Sequence, residues 1–259
     1  DHGAPLKPSA AAARGQKPRA GAIAVIPVYG TIVQRASQLD LCESGTSTQS
    51  LSNALADAMA DDSVAKVLLD IDSPGGSVYG VQELAAEISR AKKPVVAVAN
   101  SLAASAAYWI GSAASEFYVT PGGEVGSIGV WSAHQDVSKA LEAAGVNVTL
   151  ISAGEFKVEG NPFQPLGDEA QSFMQSRVND YYSEFTRAVA RGRKVSVDQV
   201  RNGMGKGRVL GADQAKAEGM VDGIATFDDV IANMQKGINS TAPRASRLAR
   251  AQRDIAIMG

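Results

Sequence analysis

Three short stretches gather residues that can do chemistry. They are DSPGGSV at 72–78, NSLAASAAYWIGSAA at 100–114, and GEFKVEGNPF at 154–163, the last preceded by GSIGV at 126–130. A glycine pair directly after an apolar run lets backbone come close to a phosphate, an anionic reaction centre or another piece of chain. A serine hydroxyl becomes a nucleophile when a base lies within hydrogen-bond reach. A lysine amine serves as that base only in its neutral form. Taken singly, each signal is weak: serines in alanine-rich helices usually pack, and a lone lysine is usually solvated.

Other chemistries fall away on residue counts and spacing. The chain holds two histidines, His2 and His134, and one cysteine, Cys42, so neither an ordinary zinc site nor an internal disulfide is expected. GMGKGR at 203–208 lacks the phosphate-loop spacing, and Gly75-Gly76 lacks the spacing of a dinucleotide fold. A Ser-His-Asp triad would have to use His134, and no G-x-S-x-G elbow supports it. His134 therefore reads as an ordinary polar residue after a strand. No metal and no cofactor are expected. A net charge of −2 argues against a nucleic-acid binder. No run of about 18 apolar residues predicts a membrane span. The chain begins at Asp1 rather than Met, which leaves open a signal or anchor ahead of it.

The elements that must position these stretches follow from hydrophobic periodicity. With 259 residues and 45% apolar content, the chain can build a large α/β core. Apolar runs at 22–28, 65–71 and 94–99 predict buried strands. Leu51, Leu55, Ala58 and Met59 mark a helix over 46–62, and Val78, Val81, Leu84 and Ile88 a second one after the glycine pair. An alanine-rich helix is expected over 102–113, with short strands at 116–120 and 127–130 around the turn at 121–123. A helix over 137–144 and a strand over 146–151 follow. A long helix over 168–191 carries Met174, Val178, Tyr181, Phe185 and Val189 on one face, and short helices fit 197–203, 211–218 and 226–236. Alternating strands and helices mean an α/β fold with mostly parallel pairing. Residues 1–20 read as a flexible arm, 21–237 as the folded domain, and 238–259 as a tail. The tail carries Arg244, Arg247, Arg250 and Arg253, a net +3 that leaves −5 on the rest, and reads as solvated surface.

Together and in this order, the three stretches resemble the signal peptide peptidase A family of serine peptidases, which includes the head-maturation proteases of tailed phages. The likeness covers roughly residues 22–235. It implies a ClpP/crotonase-type fold of repeated βα units with a helical C-terminal part. It implies a nucleophile at Ser105, in Ala103-Ala104-Ser105-Ala106-Ala107-Tyr108, with Ala106-Ala107 where many relatives have Gly-Gly. It places the general base at Lys157, 52 residues later, and an orienting serine at Ser127, 22 residues after Ser105. The oxyanion donors it implies are the Ala106 amide and the Gly75-Gly76 turn, beside which a bound peptide lies.

Physical chemistry agrees with that assignment. A lysine in water titrates near ~10.4, so a base working at neutral pH needs a desolvated amine, a difference of about 3–4 kcal/mol. A serine partner orients such an amine without adding charge. The string from 124 to 163 is most similar to the phage branch, where capsid, portal or scaffold proteins are the expected substrates and partners. That branch predicts an ATP-independent endopeptidase, a homo-oligomer, and a location in the host cytoplasm or the phage prohead. The alternatives are a bacterial signal peptide peptidase, a catalytically silent capsid-assembly protein on the same fold, and, more weakly, a crotonase-type acyl-CoA enzyme.

Overall fold

The apolar runs of the first half become neighbours in one sheet. In the computed structural model, which describes residues 21–35 and 45–241, strands β1 (Ala22–Val33), β2 (Gly45–Ser47), β3 (Val64–Gly76), β4 (Val95–Ala104), β5 (Glu116–Val119), β6 (Glu124–Gly126), β7 (Val209–Gly211) and β8 (Gly223–Ile224) form a sheet of order β2-β1-β3-β4-β5-β8. These neighbours all pair in parallel, and β6 adds in parallel to the C-terminal end of β4. Only β7 runs antiparallel, against β6. The expected arm 1–20 and the tail beyond 241 lie outside the described residues, as does Cys42.

Both faces of the central strands are covered, which is why their sequences read as continuous apolar runs. Val67, Leu69, Ile71, Val95, Ala97 and Ala99 point to one side. There they meet α1 (Thr48–Ala60), α2 (Val81–Ser89), α3 (Ala106–Ser112) and the long α5 (Asp168–Arg193). Leu68, Val96 and Val98 point to the other side and pack against Val230 and Met234 of α8 (Phe227–Thr241). Between them in sequence lie α4 (Ser138–Ala143), α6 (Val197–Asn202) and α7 (Ala212–Ala217). Ser47 caps α1 by accepting from the Ser50 amide, and Ser196 and Gln199 form a capping box on α6. Lys194, in the left-handed region at φ 57°, ends α5.

Five local expectations are corrected. The Pro74-Gly75-Gly76 stretch is not the turn: β3 runs through it, with Gly75 and Gly76 paired to Thr31 and Ile32 of β1, and the chain turns at 77–80 instead. The alanine-rich helix starts at Ala106 rather than Leu102, because Leu102, Ala103 and Ala104 join a ladder with Glu124, Val125 and Gly126. Tertiary pairing overrides the helix preference of alanine there. That ladder also moves the expected strand at 127–130 back to 124–126. The segment 146–151 forms no strand, since no neighbouring strand lies beside it among the described residues, and its side chains are exposed. The last helix runs on to Thr241, past its expected end at 236.

Candidate active site

The site grows out of the ends of two adjacent strands. Ala104 of β4 faces Gly126 of β6 in parallel register. The next residue of each strand is a serine, Ser105 and Ser127, and both turn sharply out of the sheet with φ of 54° and 55°. Neighbouring strands lie about 4.8 Å apart, so this register sets the two serines side by side. The Ser105 amide donates to the Gly126 carbonyl at 2.8 Å, and the Ser127 amide donates to the Arg208 carbonyl at 2.8 Å. Ser105, at ψ −121°, caps the start of α3, whose Trp109 amide donates to the Ser105 carbonyl at 3.0 Å. Such backbone costs about 1–3 kcal/mol in a non-glycine residue and persists only where the surroundings hold it. Here a strand, a helix and a hydrogen bond from the neighbouring strand do so. The side chain on this strand-to-helix turn is half-exposed.

Gly75 lies directly against this turn. A Cβ at Gly75 would sit 2.7 Å from the Ala104 carbonyl oxygen, 2.7 Å from Ser105 Cβ and 2.9 Å from the Ala106 nitrogen, at a φ of 94°. Only glycine fits, so the glycine pair makes the close approach that its sequence announced. The Gly75 amide donates to Ser73 Oγ at 3.1 Å, and the fully buried Ser73 hydroxyl donates to the Gly30 carbonyl at 2.6 Å. Gly76 serves a different neighbour: a Cβ there would lie 2.1 Å from the Ile32 carbonyl oxygen. The Ala106 amide is the first of α3 and has no partner within the helix by position. It offers a donor at the positive end of a short helix, beside the Ser105 side chain.

Lys157 stands apart from this cluster. It lies in an exposed run of turns, its amide donates to the Gly154 carbonyl at 3.2 Å, and its ammonium has no hydrogen bond or ion pair among the described residues. The structure thus brings together Ser105, Ser127, Gly75 and Ala106, with Gly76 behind them in the β1 ladder, and does not bring Lys157 into contact with either serine. His134 is engaged elsewhere, its Nε2 2.9 Å from the Asn161 carbonyl oxygen.

Three supporting residues escape sequence reasoning. The Ser73 hydroxyl holds the Gly75 end of β3, the Gly126 carbonyl holds Ser105, and the Arg208 carbonyl holds Ser127. All three lie in stretches the sequence singles out, Ser73 in 72–78, Gly126 in 126–130 and Arg208 in 203–208, but no residue type there marks a supporting role. The resolved titration shifts lie on the scaffold. A hydrogen bond to Asp70 pushes the Tyr29 phenol up to about 12, and one to Glu116 pushes Tyr118 up to about 12. Burial alone would raise the Asp222 carboxyl, but the Arg193 guanidinium and the Phe117 amide outweigh it and hold it below the ordinary carboxylate range. Among the described residues there is no cluster of three His, Cys, Asp or Glu side chains to hold a metal, and no helix long and apolar enough to cross a membrane.

Comparison with known proteins places the chain in a family. Residues 87–241 match the family described as Peptidase family S49. The chain is 36% identical over 226 residues to the capsid assembly protease C of Escherichia phage lambda, covering 86% of this chain and 51% of that protein. It is 37% identical over 245 residues to the head-tail preconnector protein GP5 of Enterobacteria phage P21, covering 92% of this chain and 48% of that protein. The chain therefore spans about half the length of these curated relatives. Among solved structures, a ClpP1 mutant from Listeria monocytogenes superposes with a TM-score of 0.51 at 18% identity, over 79% of this chain and 92% of that one, a likeness of fold. The fold is the ClpP-like, mostly parallel α/β architecture that the motifs imply, and the chain belongs to peptidase family S49.

Proposed function

We propose that the chain is a serine endopeptidase in which Ser105 attacks the peptide carbonyl, Lys157 takes its proton and Ser127 orients the lysine. The observation that carries this reading is the strained turn at Ser105, which presents a hydroxyl beside the Ala106 amide and the Gly75 backbone. A preorganised amide at that point stabilises the oxyanion of a tetrahedral intermediate. The register of Ala104 with Gly126, which leaves Ser105 and Ser127 as the next residue of each strand, supports a role for Ser127 in holding the amine. No cofactor takes part in this scheme, and unfolding of substrate is not its task.

The likeness to a capsid assembly protease and a head-tail preconnector protein supports substrates among the structural proteins of a phage head, whether capsid, portal or scaffold, and action in the prohead. The stretch around Lys157 supports a homo-oligomer with the site near a subunit boundary. Its apolar side chains stand in water: Trp131 is 84% exposed, Ile151 94% and Phe156 52%, with Val146, Val148, Leu150 and Phe163 also exposed. Large apolar side chains left in water in this number ask for a partner surface. Packing them away also desolvates the region of Lys157, as a lysine base requires. The aromatic residues of α5 are engaged within the chain instead: Phe185 is buried under Trp109, Tyr181 meets Tyr79 edge-on, and Tyr182 lies under Arg201.

A fluorophosphonate probe tests the reading. The parent protein should be labelled at Ser105 and should cleave peptide bonds, and Ser105→Ala protein should do neither. A parent protein that resists the probe and cleaves nothing would make it a silent assembly module on the same fold.

A further inference from the structure

Four of the five non-glycine residues with left-handed φ among the described residues are Ser105, Ser127, Met204 and Lys206. The first two form the candidate site. The other two belong to the loop 203–208, Gly203-Met204-Gly205-Lys206-Gly207-Arg208, which abuts it. The contact is direct: the Arg208 carbonyl accepts the Ser127 amide at 2.8 Å, and a Cβ on Gly126 would come within 2.5 Å of that same oxygen. Beyond Arg208 the chain enters β7, which pairs with β6 through Val209 and Gly126. Arg208 is thus the residue opposite Ser127 at the end of the ladder.

The loop is built rather than loose. Met204 is buried beneath it, the Gly205 amide donates to Glu218 Oε2 at 2.9 Å, and the Lys206 and Arg208 amides donate to the carbonyls of Gly203 and Gly205 at 3.1 Å and 3.0 Å. This holds Lys206 and Arg208 two residues apart, both exposed, and neither makes an ion pair or a side-chain hydrogen bond among the described residues. The one carboxylate bonded to the loop, Glu218, is engaged by a backbone amide and by Gln214. The loop thus carries two exposed cations without a charged partner among the described residues, and its backbone is bonded to Ser127.

We infer that Lys206 and Arg208 form a cationic rim of the Ser105 site that selects peptide substrates carrying an aspartate or glutamate at one fixed position near the scissile bond. The inference rests on the peptidase reading and adds to it a substrate class. Lys206 and Arg208 act here on specificity, by meeting a carboxylate of the substrate, and take no part in proton transfer. An exposed charge-assisted contact of this kind is worth roughly tenfold in kcat/KM, and salt weakens it.

The test digests a proteome-derived peptide library with purified full-length chain and reads the cleavage sites by mass spectrometry. The parent should enrich acidic residues about tenfold at one position relative to the cut, and the enrichment should shrink in high salt. Arg208→Lys should keep it, Arg208→Gln with Lys206→Gln should lose it, and Arg208→Glu with Lys206→Glu should turn the preference toward basic residues. Each single Gln variant serves where the double variant fails to fold, and should weaken the enrichment. Cleavage by the parent without acidic enrichment, or enrichment that survives in the Gln variants, would overturn the inference while leaving the peptidase reading intact. A parent that cuts nothing and resists the fluorophosphonate probe would overturn both.

Discussion

Trp109 lies flat on Phe185, their ring centroids 4.7 Å apart and the planes 6° from parallel. The pair joins α3, four residues after Ser105, to the middle of α5, and both side chains are buried. Phe185→Ala should cost about 3–4 kcal/mol, read as a lower melting temperature. The emission of Trp109 should also shift to the red. The exposed Trp131 contributes a constant background. An unchanged melt would mean that α5 does not hold the nucleophile helix in place.

Gly75→Ala should abolish labelling of Ser105 while Gly122→Ala leaves it intact. The first places a methyl group within 2.7 Å of Ser105 Cβ, and the second meets nothing within 4 Å. Fluorophosphonate labelling of the two variants decides the point. Full labelling of Gly75→Ala would show that the close approach at Gly75 is not needed to hold the serine.

Lys157→Arg should be inactive, because a guanidinium stays charged and cannot accept the serine proton. Ser127→Ala should be slower than the parent but active, having lost an orienting group alone. With a lysine as base the parent rate should rise with pH, as the neutral amine becomes populated. A flat rate profile between about pH 6 and 9 would count against a lysine base.

Asp222→Asn should destabilise the fold by about 1–2 kcal/mol. Its carboxylate accepts from both Arg193 terminal nitrogens at 2.9 Å and from the Phe117 amide at 2.7 Å, tying α5 to β5. The Arg193 side chain is 6% exposed while Asp222 is 42% exposed, so the solvent-facing half of the pair is screened. Because Asp222 is held below its ordinary range in the folded state, this contribution is present above about pH 4 and is lost as the pH falls through the folded value. Acid melts of parent and variant should therefore converge at low pH.

Tyr29→Phe should cost about 1–3 kcal/mol. The Tyr29 hydroxyl donates to Asp70 Oδ2, and the other oxygen of this buried carboxylate has no partner among the described residues. Removing the phenol leaves the whole carboxylate without a protein donor. The Tyr29 phenol is pushed up to about 12 by that hydrogen bond. Its stabilising effect is thus full below about pH 10 and fades as the pH rises through the folded value. Denaturant melts near neutral pH measure the first effect, and ultraviolet titration of the phenols measures the second.

Much of the fold was legible because burial writes itself into the strands. Val67, Leu68, Leu69, Val95, Val96 and Ala97 are apolar on both faces because helices cover both. The serine pair and the close approach of the glycine pair were legible through motif order, but the glycine pair belongs to a strand and not to the expected turn. The path of the backbone between them was not legible. Leu102, Ala103 and Ala104 prefer a helix, and only the late-coming β6 ladder draws them into a strand. Val146 to Ile151 alternates like a strand, and no local pattern says that a pairing edge is missing. Positive φ at Ser105 and Ser127 leaves no trace in composition, because the surroundings impose it.

The register of Ala104 with Gly126 has a further consequence. The interval of 22 residues between Ser105 and Ser127 is a sequence distance, while one rung of the ladder sets their distance in space. The connection between β5 and β6 turns at 120–123, and Gly122 projects into open space. Residues spliced in at that turn would lengthen the interval without moving either hydroxyl. A relative with a longer connection there would fail a search for motif spacing and still carry the same pair of serines, which makes Gly122 a natural port for a tag or a fused domain.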